Sequence, residues 1–593
     1  MASAPGVSDP IRFEVIRNAL LESAEEMAIT LRRSAYSTNI KTRADFSCAI
    51  FDAELRVIAQ AFAQPNHLGS LCELVPRAVA AYGADRLGPG DALLTNHPYL
   101  GGVHLNDITL ISPVHDQDRL VGYVASLAHH VDVGGGAPAS IGAFREVYQE
   151  GVIIPPVRLV AGGSVVDDVL RLVLAQVRAQ QETPGDLRAQ IAANTTGARR
   201  LIALLDRLGA ATVDQYCAAL IAYTDRRTAA AIARLPQGRF SAEGALDSDG
   251  YGGPPTRLAA TVVIDATGVA FDFTGCDIQR RAPVNATYAQ TFAACAYVLK
   301  CLIDPDIPTN AGFYRHVRMH APEGSVVNCT APAPVVAGWE THMRLTEVIL
   351  RALAGALPEQ IPAESKGMIC HAGFGSLQPN GAYACFLETL AGGYGARFGL
   401  DGPDAVQTHG QNTENAPVEE TEANYAVRIT RYELVDDSEG AGRWRGGLGL
   451  RRDYHFPAAT TFTILADRDR AGPQGLFGGH AGAPAAYLLN PAGEARRLSA
   501  KATVELQPGD TVSYRTCGGG GYGLPAERDS QLVLADVRAG RVSRERARTI
   551  YCVVIDPEQW IVDEPATAAL RASALGPTAH ARERETTSPL RDP

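Results

Sequence analysis

Between residues 96 and 136, histidine, aspartate and glycine gather in two short runs. The first reads Asn96-His97-Pro98-Tyr99-Leu100-Gly101-Gly102-Val103-His104-Leu105-Asn106-Asp107, and the second His129-His130-Val131-Asp132-Val133-Gly134-Gly135-Gly136. Each contains the pattern H-x-x-D. Imidazole nitrogen and carboxylate oxygen together suit Zn²⁺, Mn²⁺ or Fe²⁺, and two such pairs can converge from adjacent strand ends. A geometric condition applies: on a straight strand, residues three apart point to opposite faces, so His104 and Asp107 share an ion only if Leu105-Asn106 turns or bulges. The competing reading makes these residues loop caps, with Asp and Asn in turns and histidines bonded to backbone. The flanking glycines serve either, because they allow close approach to a ligand and tight turns alike.

Two further stretches are candidates for chemistry. Gly518, Gly520 and Gly523 match G-x-G-x-x-G after a strand-like run. Residues 524–530 leave too little chain for a crossover helix before the strand expected at Gln531 to Val537, so a tight glycine turn is the better reading than a dinucleotide loop. The run from Asp436 to Gly449, with Arg443 and Arg445 among acids and glycines, could bind a carboxylate or phosphate. A wide loop whose arginines pair with its own acids explains it better, since no reacting group lies nearby. The sequence contains no G-x-x-x-x-G-K-[ST], no G-x-S-x-G and no H-E-x-x-H, so phosphate loop, nucleophile elbow and zincin helix are all unrepresented.

These residues need a scaffold, and the hydrophobic periodicity supplies one. A first helix is predicted from Asp9 and Pro10, with Ile16, Leu20, Ala24, Met27 and Leu31 on one face. Phe46 to Phe51 and Arg56 to Gln60 read as a hairpin about Asp52-Ala53-Glu54, and glycine-punctuated strands are expected to continue to about Pro156. Long helices follow over Leu187 to Leu205 and Cys217 to Leu235, stopping at Pro236-Gln237-Gly238. Ala260 to Ile264 and Val269 to Phe273 form a second hairpin, with helices over Thr287 to Leu302 and Thr341 to Leu357. Beyond Ala391 glycines and short strands dominate.

The chain has 593 residues, 46% of them hydrophobic, 11 cysteines, and 54 basic against 65 acidic side chains for a net charge of −11. That balance argues against a nucleic-acid partner. The longest apolar stretches, such as Gln290 to Ile303 with Lys300 inside it, are too short for a bilayer, and the N-terminal residues lack a signal-peptide pattern. The cysteines are odd in number and contain no C-x-x-C pair, which fits reduced, buried thiols. A cytoplasmic protein with no membrane association is expected.

Taken together, the chain resembles the B-type subunit of the hydantoinase/oxoprolinase family. The resemblance is carried by Asp9-Pro10-Ile11, Thr42 to Ser47, His67-Leu68-Gly69-Ser70, Asn96 to Asp107, Ala128 to Gly135, Glu150-Gly151, Pro155-Pro156 and Gly185 to Gly197. It continues through Phe271 to Gly275, Asp304 to Asn310, Asp437 to Gly449, Asp467-Arg468 and Gly518 to Gly523. It departs at His97, where the family has aspartate, which adds one potential ligand. The resemblance implies an ATP-dependent cyclic amidohydrolase that opens a hydantoin, 5-oxoproline or related lactam, with ATP and Mg carried by an A-type partner in a hetero-oligomer. It implies a divalent metal (Zn, Mn or Fe) held by His104, Asp107 and His129, with Asp45 as a further carboxylate. His129 is preferred to His130 because the family pattern holds the first histidine more firmly. His130 and Asp132 are then candidates for catalytic proton transfer, and His67 for a place beside the metal or substrate. The alternatives are the metal-holding subunit of an ATP-dependent acetone or acetophenone carboxylase, and a non-catalytic scaffold completing the partner's site.

The expected fold class is α+β, a mixed multi-domain chain with helix-rich and glycine-rich antiparallel β portions. The expected divisions are an N-terminal metal-site domain with a helical insertion over 1–238, a mixed α/β domain over 239–390, a β-rich domain over 391–574, and a flexible tail over 575–593.

Overall fold

The computed structural model describes residues 9–62, 64–378 and 381–575, so the tail expected over 575–593 lies outside the described residues from 576 onward. Helix α1 (Pro10–Ser34) starts as its sequence predicts: the Asp9 carboxylate accepts the N–H groups of Ile11 at 3.0 Å and Arg12 at 3.1 Å, and Pro10 fills the first turn. Its buried face includes Ile16, Leu20, Ala24, Met27 and Leu31.

That face packs on a seven-stranded sheet built from β1 (Phe46–Phe51), β2 (Val57–Gln60), β3 (Ala92–Thr95), β4 (Asp107–Asp116), β5 (Arg119–His129), β6 (Val157–Ala161) and β7 (Ser164–Val165). Its spatial order is β2-β1-β5-β4-β3-β6-β7, antiparallel throughout. Alternation along the strands sorts the side chains. Cys48, Ile50, Val124 and Ala128 face the core made with α1, while Ala49, Phe51, Tyr123, Ala125 and Leu127 face the opposite core.

The opposite face carries α2 (Pro65–Tyr82), which corrects the expectation of glycine-punctuated strands up to about Pro156. Gly69 and Pro76 are residue types that disfavour a helix interior, yet Leu71, Leu74, Val75, Ala78 and Val79 have helical spacing and are buried. Gly69 is small for packing reasons: a Cβ there would stand 2.7 Å from Ala293 Cβ. The two long helices expected from the sequence are α3 (Glu182–Leu208) and α4 (Ala210–Ile232), and they pack with α1 on the first face.

The second sheet comprises β8 (Gly238–Leu246), β9 (Thr256–Asp265), β10 (Gly268–Asp272) and β11 (Val317–His320), with β10 and β11 parallel. Helices α5 (Tyr288–Leu302) and α6 (Gly338–Leu353) join it to α2 in one core. Strands β12 (His371–Leu377), β13 (Tyr383–Thr389), β14 (Arg428–Leu434), β15 (Leu450–His455), β16 (Thr460–Leu465), β17 (Ala486–Leu489), β18 (Arg496–Arg497), β19 (Lys501–Leu506) and β20 (Thr511–Arg515) make two more sheets, β13-β12-β16-β19 and β14-β15-β20-β17-β18. The first of these draws strands from both sides of residue 390. Mixed helices and mainly antiparallel sheets are thus the fold class.

The strand expected at Gln531 to Val537 is instead helix α7 (Ser530–Arg538), capped by Asp529 and burying Val533, Leu534 and Val537. Its apolar run was short enough to fit either period. The chain therefore does pass from strand through glycines to helix, and the objection to a dinucleotide loop must come from elsewhere. It comes from packing. The N–H groups of Gly519, Gly520 and Gly521 already donate to Gly447, Glu364 and His480 at 2.8, 2.7 and 2.9 Å, so none is left for phosphate. A Cβ on Gly518 would lie 1.8 Å from the Ser438 carbonyl oxygen, because backbone meets backbone there. Arg445, in the neighbouring loop, pairs with Asp404 at 2.9 Å and Asp536 at 3.0 Å, acids outside that loop.

Replacing Gly69 by Ala sets two effects against each other: helix propensity favours Ala by about 1 kcal/mol, and overpacking against Ala293 costs about 1–3 kcal/mol. With Ala293 Cα only 2.8 Å from the added carbon, the neighbour is backbone and cannot swing away. Thermal or denaturant unfolding is expected to show net destabilisation; an equal or higher stability would mean that α2 and α5 part freely.

Candidate metal centre

Three adjacent strand ends deliver the candidate residues to one place. Asp107, the first residue of β4, is the direct cross-strand partner of His129, the last of β5. On the other side, His129 N–H donates to the Asp45 carbonyl at 3.0 Å, just before β1. Asp107 and His129 continue the odd-numbered positions of their strands, so they face α2. His104 joins them through a turn at Leu105-Asn106, in which Asp107 N–H donates to the His104 carbonyl at 3.1 Å. The condition set by the H-x-x-D spacing is therefore met.

The donor atoms of His104, Asp107 and His129 lie within 4.8 Å of one another, and all three residues are buried. His104 Nε2 is 3.1 Å from Asp107 Oδ2, and His129 Nδ1 is 3.0 Å from Asp107 Oδ1. Only the second contact has hydrogen-bond alignment. His104 Nδ1 and Nε2, His129 Nε2 and Asp107 Oδ2 are left as buried polar atoms without a partner. Such atoms cost roughly 1–3 kcal/mol each if nothing meets them. The set of two imidazoles and a carboxylate is the chemistry a divalent transition metal prefers, and the group fits one.

The electrostatics agree. Burial opposes ionisation of Asp107, but His104 and His67 beside it hold its carboxyl well below the usual carboxylate range. Burial lowers the pKa of His129, and burial with His104 and His129 nearby drives that of His371 well below its ordinary value. Neutral imidazoles keep a lone pair for a ligand bond.

Around the trio lies a cavity with free space of about 20 Å³, room for an ion and a water. Asp45 lines it and accepts from Gln64 Nε2 at 3.1 Å; its Oδ1 stands 3.8 Å from His67 Nε2. His67 also lies 3.7 Å from Asp107 Oδ2. His97 is half-buried against Tyr99 and does not line the cavity. His130, one residue beyond His129, faces the other side of the sheet, where its Nε2 meets Gln190 Oε1 of α3 at 3.0 Å. Asp132 accepts from the N–H of Gly134 and of Arg178 and pairs with the Arg178 guanidinium at 3.1 Å. Neither His130 nor Asp132 borders the cavity.

Sequence reasoning missed the residues that close the cavity from above. His371 begins β12, with its ring 6.4 Å from that of His104, and Trp339 of α6 stands edge-on to His104 at 6.0 Å. Both are more than 200 positions from the H-x-x-D runs, and no local pattern marks them. Arg43 links the two halves: its fully buried guanidinium donates to the Leu387 carbonyl at 2.8 Å and Thr389 Oγ1 at 2.9 Å on β13.

The hydantoinase B/oxoprolinase family model matches residues 9–525, and the chain belongs to that family. It is 40% identical to an uncharacterised protein of Methanocaldococcus jannaschii, over 95% of this chain and 100% of that one. It is 34% identical to the caprolactamase subunit beta of Pseudomonas jessenii, covering 95% and 99% of the two chains. It is also 34% identical to 5-oxoprolinase 1 of Arabidopsis thaliana over 88% of this chain, but spans only 42% of that longer protein. Among solved structures, the ATP-dependent caprolactamase of P. jessenii superposes with a TM-score of 0.87 at 30% identity, covering 96% of this chain and 100% of that one. Acetone carboxylase in its nucleotide-free form superposes with a TM-score of 0.88, covering 98% and 84%, at 18% identity, which speaks to fold alone.

If the trio holds a metal, His104→Ala should lower its content from about one ion per chain to near zero while the protein stays folded, because an open site contributes less to folding than a closed structural one. Elemental analysis alongside circular dichroism is the check. Metal undiminished in the variant, or absent from wild-type protein prepared without chelator, would refute the assignment.

Proposed function

We propose that this chain is the B-type subunit of an ATP-dependent enzyme that opens a cyclic amide ring, working with an A-type partner that carries ATP and Mg. The observation that supports this most directly is the convergence of His104, Asp107 and His129 on one buried cavity, in a chain that aligns end to end with a caprolactamase subunit. A second support is the absence of a nucleotide cradle at the glycine turn, whose N–H groups are already bonded to carbonyls. The relation to 5-oxoprolinase adds a third: the matching stretch is the minor part of that longer protein, consistent with a further component here.

A lactam carbonyl is a poor electrophile, and phosphorylation of its oxygen at the partner's site would open it to water. We assign metal binding to His104, Asp107 and His129, with Asp45 at the rim; the ion would be Zn, Mn or Fe. When bound, such an ion supplies Lewis acidity and lowers the pKa of its water towards neutrality. The chain's own residues do the rest. Asp107 stays ionised between the two histidines, Gln64 holds Asp45, and Trp339 and Leu387 exclude bulk water. His130 and Asp132, anchored to Gln190 and Arg178, are assigned to fixing the loop that follows β5 rather than to carrying protons. The reading implies a cytoplasmic complex, consistent with eleven free cysteines and with no described helix long and apolar enough to cross a membrane.

The test is co-purification with the A-type partner and a screen of hydantoin, 5-oxoproline and small lactams for ADP release. One ADP and one phosphate per ring opened are expected, without dependence on bicarbonate. In ¹⁸O-labelled water the label should enter the new carboxylate or the released phosphate. Turnover that needs bicarbonate and places its carbon in the product would select a ketone carboxylase instead, and ring opening at full rate without ATP would contradict both. The isolated chain is expected not to bind Mg-ATP tightly; submicromolar binding by calorimetry would overturn the division of labour.

A further inference from the structure

Beside the cavity, among α5, α6 and the 408–411 segment, lies a second set of buried polar groups that the proposed chemistry does not use. His409 Nε2 meets Glu347 Oε1 of α6 at 2.6 Å, and that oxygen also accepts the Ser365 N–H at 2.8 Å. His342, nearly one turn beyond Trp339 on α6, has its Nδ1 2.7 Å from the Gln290 carbonyl of α5. A carbonyl only accepts, so Nδ1 is the donor, and in the neutral ring Nε2 carries the lone pair. Burial holds His342 neutral, its pKa lowered to about 4.

Six polar atoms here are buried without a partner: Asn66 Oδ1, Gln290 Nε2, His342 Nε2, Thr408 Oγ1, His409 Nδ1 and Gln411 Oε1. Every one belongs to a residue at least nine-tenths buried. Asn66 and Gln411 also line the metal cavity, so the two regions adjoin. Orphaned donors and acceptors at this density are the setting in which ordered water is found. His409 is, moreover, held in the left-handed region with φ of 49°, unusual for a residue with a side chain. Gly410 next to it has no room for a Cβ, which would lie 1.9 Å from Asn66 Oδ1. Local strain of this kind persists where the surroundings over-determine it, often at working sites. On the outer side the rings of Tyr394 and Tyr297 flank His409 at 5.8 and 6.0 Å.

We propose that His409 and Glu347 form a proton relay for the metal cavity, connected to it by water bridging His342, Asn66 and Gln411. The proposal rests on the ring-opening reading. When water adds to the activated carbonyl, one of its protons passes along the bridge to His409 Nδ1, while the proton on Nε2 moves to Glu347 Oε1. When the C–N bond breaks, both transfers reverse and the nitrogen receives that proton; the water's second proton also reaches the nitrogen as its oxygen becomes the new carbonyl, and the phosphoryl group stays on that carbon as an acyl phosphate, which a second water hydrolyses to carboxylate and phosphate. Neither residue touches the reacting atoms; both are positioning residues for the proton.

Two measurements test this. A high-resolution crystal structure of the wild-type chain should show ordered water on His409 Nδ1 and His342 Nε2, continuous with the cavity; dry apolar packing around both nitrogens would overturn the relay. In the complex, with whichever of caprolactam, hydantoin or 5-oxoproline it opens, His409→Gln and Glu347→Gln should lower kcat about 100-fold with KM within about twofold. Metal content should be unchanged, the solvent deuterium isotope effect larger, and added imidazole should restore part of the rate in His409→Gln. A kcat within about threefold of wild type, or a loss tracking metal loss and unmoved by imidazole, would refute the relay. No turnover by the wild-type complex would fault the ring-opening reading itself, whereas the water chain judges the relay separately.

Discussion

The cross-strand pairing of Asp107 with His129 is the constraint on which the rest of the site depends. Because the side-chain period of a strand is two, a slip of one residue in β4 against β5 would turn one of the pair to the opposite face. The register is not free to slip. Along β5, Tyr123, Ala125 and Leu127 must face the core shared with α2, and Val124 and Ala128 the core shared with α1. Two hydrophobic faces thus fix a polar pair at the sheet's end. The same alternation separates neighbours in sequence: His129 looks into the cavity, and His130 looks at Gln190 on α3.

Burying this much polarity needs an explanation, since four lone-pair or donor atoms on His104, Asp107 and His129 have no partner in a space that excludes bulk solvent. Unsatisfied buried polar groups are scarce in folded proteins, and those that persist usually mark an ion, a water or a reaction. Two buried charge clusters among the described residues share this feature less. Glu364 meets Arg344, Arg351 and Arg468, at 3.4, 3.0 and 3.0 Å, and its pKa is pulled far down. Arg528 is clasped by Asp401 and Asp536 at 2.7 and 2.8 Å. Those clusters are nearly self-sufficient and read as structural; the histidine cluster is not.

Legibility in the sequence followed the range of the interaction. The first helix, the hairpin at Asp52-Ala53-Glu54 and the long helices α3 and α4 were readable because caps, turns and periodicity are local. Helix α2 was hidden because Gly69 and Pro76 look like breakers, and its glycine answers a contact with Ala293 more than two hundred positions away. Helix α7 carries a strand-like signature as well, because its short apolar run fits both periods. Within the site, type and spacing marked the two H-x-x-D runs, and the family resemblance singled out His104, Asp107 and His129 within them, while nothing local marks His371, Trp339 and His409. Their roles come from packing between distant segments, to which no spacing rule applies.

That difference has a physical consequence for how the site is assembled. The metal-ligating candidates sit on rigid strand ends of the first sheet, whereas the lid over them is built from α6, β12 and β13, far along the chain. Arg43, two residues before Asp45, bridges the halves through Leu387 and Thr389. Its burial lowers its pKa, and Asp45 and Glu388 nearby oppose that loss. A guanidinium donating to a carbonyl and a hydroxyl sets orientation as well as distance, because its donors are fixed in one plane. The arrangement therefore places the donor atoms on the first sheet and the residues that cover them on α6, β12 and β13, with Arg43 fixing the distance between β13 and the segment that carries Asp45. Donor atoms and cover thus come from different parts of one chain, and Arg43 is one of several buried contacts between them, beside Glu150, whose carboxylate accepts the N–H groups of Val335 and Val336 at 2.8 and 2.9 Å.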